Sequence, residues 1–296
     1  MAFVLQPEKL VVMFMTTETD KERVQEQPPQ LPFEVEPWAQ ATVIDNARRS
    51  AYRYDAYKTI VQLSFLSMEG FAHFLLCDDP EYAENTIDTE YRHIAIVDTE
   101  EKLVQEAATF VRGKQVETDG MVMSWRVFAG WKILADNWPL FVNKAFAYRQ
   151  QIPYSLVSNP MKRFSTNDHL LEVSNIYSQG MSMGLRPLPT LPDALRYWGY
   201  GIDGVLRSHP TPQTICKKIC EDPLGAAKDV ECYLRDMTDV IARYYGWRNE
   251  YDELAKLMME VRDGRSDKSG TVVVSGGCDE APDGGKSSQE AGQHVA

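Results

Sequence analysis

Carboxylates two apart on a strand share a face and can bracket a metal ion, so Glu18 and Asp20 are the first residues of chemical interest. They stand where the apolar run Leu10–Phe14 gives way to polar residues, a position that equally suits a plain strand end. Other chemistries find less support. No glycine-rich phosphate loop follows the first apolar run, and no Ser/His/Asp or Cys/His set occurs in recognisable context. His169 is isolated and reads as structural. The cysteines are Cys77, Cys216, Cys220, Cys232 and Cys278, an odd set. Cys216 and Cys220 share a helix face but lack a second pair at metal-binding spacing. Reduced thiols in a cytoplasmic, intracellular protein are therefore expected rather than a zinc site.

The net charge of −12 argues against non-specific binding of nucleic acid over the whole surface. It leaves room for a local cleft, because acidic residues also gather where metal ions supply the positive charge. With 296 residues, 44% hydrophobic and 25% charged, the chain has ordinary globular composition. No run of about 18 apolar residues could span a membrane. The first residues lack a basic start and a cleavage pattern and read as a mature N-terminus.

The elements that must position these residues follow from periodicity. Leu10–Phe14 suits a buried strand, and Tyr57–Leu66 and Phe71–Cys77 flank Met68-Glu69-Gly70 as a hairpin. The proline-bearing stretch from Glu18 to Pro37 is irregular. Ile94–Val97 is a short strand, and Thr99 caps a helix over Glu100–Arg112. Gly120–Trp125 reads as a further strand of the same sheet, and Pro139 opens a helix. Helices are expected at Leu171–Tyr177, Leu191–Trp198, Thr211–Cys220 and, longest, Leu224–Tyr245. The composition after about Arg265 turns Gly/Ser/Asp-rich, giving one domain over residues 1–265 and a disordered tail over 266–296. The order predicts an α/β protein, a mixed sheet covered by helices.

Four stretches within roughly Leu10–Trp247 resemble the proofreading-type exonuclease domain of family B DNA polymerases and its free-standing prokaryotic relatives, members of the acidic-cluster (DEDD) exonucleases. Val11–Thr19 resembles the first motif, an apolar strand ending in Phe-Asp-x-Glu-Thr, with Glu18 on the glutamate and Thr16 on the aspartate. Ile60–Phe65 with its hairpin resembles the second and third strands. Gly130–Ala145 resembles Gly-aromatic-Asn-x-x-x-Phe-Asp-x-Pro-x-Leu-x-x-Arg-Ala without a gap, placing Asn137 on the metal-binding aspartate and Lys132 on the asparagine. Cys232–Asp236 resembles Tyr-x-x-x-Asp, with Asp236 matching and Cys232 replacing the tyrosine. Leu188–Gly199 resembles the helix that precedes it.

The resemblance implies a ribonuclease H-like mixed sheet, and 3′–5′ exonuclease-like action on, or binding of, single-stranded nucleic acid 3′ ends. It implies catalytic roles for Glu18, Asp136, Asn137 and Asp236, and Mg²⁺ or Mn²⁺ held weakly by Glu18, Asp20, Asp136 and Asp236. Asn137 brings no charge to a metal, and Asp136 compensates only if the register slips by one. The alternative is an exonuclease fold without catalysis that binds nucleic acid or a protein partner.

Overall fold

The run that begins at Leu10 becomes strand β1, Leu10–Thr19, longer than its apolar pattern alone indicates. It belongs to a computed structural model that describes residues 5–20, 42–43, 57–113, 115–118, 121–157, 169–178, 189–200 and 210–247. Leu10 through Met15 are all buried. Alternation sends Leu10, Val12 and Phe14 into one helical layer and Val11, Met13 and Met15 into the other. A strand covered on both faces reads as a continuous apolar run, which explains Leu-Val-Val-Met-Phe.

Strands β2 (Lys58–Ser67) and β3 (Gly70–Leu76) form the expected hairpin beside β1, with Met13 opposite Phe65 and Leu63 opposite Phe74. Its turn requires Gly70, at φ +116°, where a Cβ would lie 2.4 Å from the Tyr91 carbonyl oxygen. Further on come β4 (Thr86–Thr89), β5 (Arg92–Val97), β6 (Gln115–Thr118), β7 (Met121–Ser124), β8 (Val127–Gly130) and β9 (Leu170–Glu172). Seven of these make one mixed sheet in the order β4-β5-β3-β2-β1-β8-β9, with β1 central and β8 and β9 running parallel to it. The protein is thus α/β, a mixed sheet flanked by helices.

The expected strand Gly120–Trp125 requires correction. Met121–Ser124 pairs with Gln115–Thr118 in a separate two-stranded sheet, and the neighbour of β1 is Val127–Gly130. Two short apolar runs lie side by side in sequence, and periodicity cannot choose between them. The choice falls to packing: Phe128 and Ala129 are fully buried between the helical layers. The helix expected over Leu171–Tyr177 also begins later, because Leu170–Glu172 is drawn into the sheet and the helix starts at Val173.

Helices α1 (Glu100–Arg112) and α2 (Trp138–Ala147) cover one face. Short helices α3 (Val173–Ser178) and α4 (Leu191–Tyr197), with α5 (Pro212–Glu221) and the long α6 (Pro223–Tyr245), cover the other. Thr99, Thr190 and Thr211 cap α1, α4 and α5 through their side chains, and proline in the first turn pre-sets the start of α4, α5 and α6. No described helix is long and apolar enough to cross a membrane. The stretch at 21–41, the residues beyond 247 and with them the expected tail lie outside the described residues.

A chain of buried polar groups runs across the sheet beneath α6. Thr16 donates to Gln62 Oε1 at 2.7 Å, Gln62 donates to Ser64 Oγ, and Ser64 Oγ lies 2.8 Å from His73 Nδ1. With Ser64 donating, the imidazole proton sits on Nε2, which faces Glu231 Oε1 at 3.6 Å. Burial lowers the His73 pKa and keeps the ring neutral. Glu231 itself accepts from Arg92 Nε at 2.6 Å, Arg92 Nη2 at 3.2 Å and Arg235 Nη2 at 2.8 Å. Burial opposes its ionisation, but the contacts with His73 and Arg92 outweigh burial and hold the carboxyl at about 2, below the ordinary 4.5.

A carboxyl depressed in the folded state contributes stability that is fully present above pH 4.5 and is lost as the pH falls through about 2. At ~1.4 kcal/mol per pKa unit the contribution is roughly 3 kcal/mol. Glu231→Gln strands two guanidinium groups and should cost about 3–5 kcal/mol at neutral pH. Urea denaturation at stepped pH checks this: the gap between wild type and variant must narrow toward pH 2.

Candidate functional site

Strand β8 ends at Gly130 while β1 continues to Thr19. From Met13 onward β1 therefore has no strand partner on that side among the described residues. The space beyond the carboxyl end of β8 is a cavity of about 470 Å³. Ligands of open α/β sheets bind at this kind of place, outside the carboxyl ends of parallel strands. Met13–Met15 form one wall and the turn after β8 another; the first residues of α4 and α5, with Tyr233 of α6, close it. Tyr233 stacks on Phe14 with centroids 4.7 Å apart, and its hydroxyl donates to the Pro210 carbonyl at 2.7 Å.

The turn after β8 has an unusual backbone. Gly130 passes so close to β1 that a Cβ would sit 3.1 Å from the Met13 carbonyl oxygen. Lys132 adopts a left-handed conformation, φ 52°, that few side chains tolerate. Ile133–Asn137 then form a π turn, a feature frequent at functional sites. Glu172, at the end of β9, holds this turn: it accepts from Lys132 N at 2.7 Å and Leu134 N at 3.0 Å, and from the amide and hydroxyl of Ser174. Asn137 Nδ2 donates to the Trp131 carbonyl at 3.1 Å and closes the turn from the other side.

Asp136 and Asn137 both line the cavity, joined there by Lys132. The other expected site residues stand elsewhere. Glu18 lies farther along β1, opposite Thr59 and against the Cys216 thiol of α5. Burial first, and then Glu18, push that thiol up to about 12. Asp20 follows the strand end, its backbone amide donating to the Tyr57 carbonyl at 2.8 Å. Asp236 is buried on α6 in the field of Tyr200, whose hydroxyl donates to Asp239; burial, then Asp239, raise the Tyr200 pKa. None of Glu18, Asp20 and Asp236 lines the cavity.

Among the described residues, no three His, Cys, Asp or Glu side chains are gathered to hold a metal ion. One carboxylate, one carboxamide and one ammonium do not form the anionic set that two divalent ions need. Thr16, matched to an aspartate, is committed to Gln62, and Asn137 uses its amide to shape the turn.

Sequence reading gave Glu172 no role, took Trp131 only as the aromatic of a motif, and read Thr211–Cys220 as a helix without placing its start at the cavity. The last had a signal, Thr211-Pro212, an N-cap followed by proline. Glu172 had none, since its partners are backbone amides 38 and 40 residues away.

Asn137→Asp, the change that would restore the motif, should destabilise the protein by about 1–3 kcal/mol, because it replaces the donor facing the Trp131 carbonyl with an acceptor. Thermal denaturation of Asn137→Asp beside the control Asn143→Asp, at an exposed position on α2, measures the effect; equal melting temperatures would remove Asn137 from the structural role given to it. No family model matches the sequence, and no curated protein matches it either.

Proposed function

We propose that this chain is a ribonuclease H-like, exonuclease-type domain that holds single-stranded nucleic acid 3′ ends in the cavity beyond β8 without hydrolysing them by a two-metal route. The observation that carries the reading is the position of the gap-free motif. Gly130, Lys132, Asp136 and Asn137, read in register with Pro139 and Ala145, fall on or beside the wall of a cavity at the carboxyl ends of parallel strands. A central first strand with a hairpin beside it and a long helix across it agrees with the fold that the motifs imply. The aromatic groups Phe14, Trp131 and Tyr233 suit bases, which stack on any flat ring. Loss of catalysis is supported by Thr16 and Asn137, both occupied with protein hydrogen bonds.

The catalytic alternative, a 3′–5′ exonuclease using Mg²⁺ or Mn²⁺, keeps one observation in its favour: Asp136 lines the cavity. An assay separates the two. Single-stranded DNA and RNA oligomers labelled at the 5′ end should bind and remain full length with either metal. Oligomers whose 3′ hydroxyl is blocked by a bulky label should bind at least about tenfold more weakly, the loss of one good polar contact set. Rapid trimming that Asp136→Ala abolishes would establish the exonuclease instead, and indifference to the 3′ block would remove end recognition.

A further inference from the structure

We propose that His73 is the proton-sensitive element of a lock on the cavity wall: a second proton on its ring breaks the hydrogen-bond chain that ends at Phe14 and releases α6, with Tyr233, from the sheet. The lock belongs to the fold itself and does not depend on which ligand the cavity takes.

The chain has a direction, and a backbone carbonyl sets it. Gln62 Nε2 lies 3.4 Å from the Phe14 carbonyl oxygen. A carbonyl only accepts, so this contact fixes which end of the Gln62 carboxamide carries the N–H groups. The same Nε2 donates to Ser64 Oγ, while Gln62 Oε1 receives the Thr16 hydroxyl. Ser64 Oγ, already accepting, gives its own hydrogen to His73 Nδ1 at 2.8 Å. The imidazole therefore carries its single hydrogen on Nε2. All four residues are buried, Gln62, Ser64 and His73 completely.

A second proton finds no place in this arrangement. Nδ1–H would face Ser64 Oγ as a donor, and the Ser64 hydroxyl would lose its acceptor. Gln62 cannot turn over to receive it without setting its oxygen against the Phe14 carbonyl. On the other side of the ring, Nε2 is buried without a hydrogen-bond partner among the described residues, with Glu231 Oε1 at 3.6 Å. That carboxylate already answers Arg92 from β5 and Arg235 from its own helix. The remaining neighbours add no anion at the ring: β2 presents Ser64 and Gln62, β3 the Phe71 ring, and β5 His93, which is engaged with the exposed Asp88 of β4. An imidazolium would be a third cation beside one buried carboxylate. Burial lowers the His73 pKa more than the attraction of Glu231 raises it, in keeping with this geometry.

The consequence falls on α6. Glu231 ties this helix to β5, and two residues on, Tyr233 stacks on Phe14 at the cavity. Phe14 stands at both ends of the lock: its carbonyl terminates the chain and its ring receives Tyr233. Opening of α6 lets His73 reach water and take up its proton. A group whose folded pKa lies below its unfolded value contributes stability that is complete above pH 6.5 and is lost as the pH falls below it. Glu231 begins to lose its contribution only below 4.5, so of these two groups His73 governs the interval from 6.5 to 4.5.

The test is hydrogen–deuterium exchange of the full chain from ~pH 8 to ~pH 5, read over α6 and α1 and corrected for the intrinsic pH dependence of amide exchange. The variant His73→Asn keeps an acceptor for Ser64 and does not titrate. In wild type, protection of α6 should fall by up to about tenfold per pH unit below 6.5, the effect of one proton. Helix α1, on the opposite face of the sheet, should keep its protection, and α6 of His73→Asn should show no such fall. Should His73→Asn fold poorly, nitrogen NMR of histidine-labelled wild type decides alone: the His73 ring should remain the neutral Nε2–H form wherever α6 stays protected. A ring that titrates near 6.5 while α6 stays protected, or whose neutral form carries its hydrogen on Nδ1, overturns the lock. So does α6 protection indifferent to pH in wild type, an equal fall in His73→Asn, or parallel loss in α1 and α6, which is global unfolding.

Discussion

The position of the long helix depends on one buried carboxylate. Glu231 is 2% exposed, and an ionised group so placed is tolerable only if its oxygens are fully engaged. Arg92 from β5 grips both of them and Arg235 from the next turn of α6 takes one, so the helix cannot slide along the sheet without breaking charge-assisted bonds. The chain from Thr16 through Gln62, Ser64 and His73 leads to the same carboxylate and ties β1, β2 and β3 into one register. Apolar packing supplies the larger share of the attraction, but it is non-directional and would accept several placements of α6. The polar chain selects one, and that placement sets Tyr233 against Phe14 at the cavity.

A second carboxylate plays the corresponding part for the turn after β8. Glu172 receives amides of Lys132, Leu134 and Ser174, so a backbone that would otherwise relax out of the left-handed and π conformations is held open toward the cavity. This carboxylate, at the carboxyl end of β9, thus serves as a backbone clamp. Acidic residues in such a region invite a metal-site interpretation, yet each must first be asked which protein donors already occupy its oxygens. For Glu172 the answer leaves little for an ion.

The motif positions that depart from the exonuclease pattern are woven into this scheme. Thr16 begins the buried polar chain and Asn137 closes the turn through a donor that aspartate lacks. Lys132 lines the cavity together with Asp136 and Asn137, so charges of both signs meet there. Substitution at these positions therefore alters both folding and electrostatics.

Leu10–Phe14, the hairpin, Glu100–Arg112 and the long helix were legible in the sequence because each rests on local signals: apolar run length, Gly70, the Thr99 cap and 3.6-residue periodicity. Motif spacing singled out Asp136 and Asn137, and both line the cavity. The tertiary structure alone decided that Val127–Gly130 rather than Gly120–Trp125 joins β1, because two short apolar runs are equivalent until one is buried between helical layers. It also decided that none of Glu18, Asp20 and Asp236 lines the cavity. Side-chain direction at a strand end or on a helix depends on a β-bulge after Thr16 and on how α6 is rotated, and both are set by contacts between residues far apart in the chain.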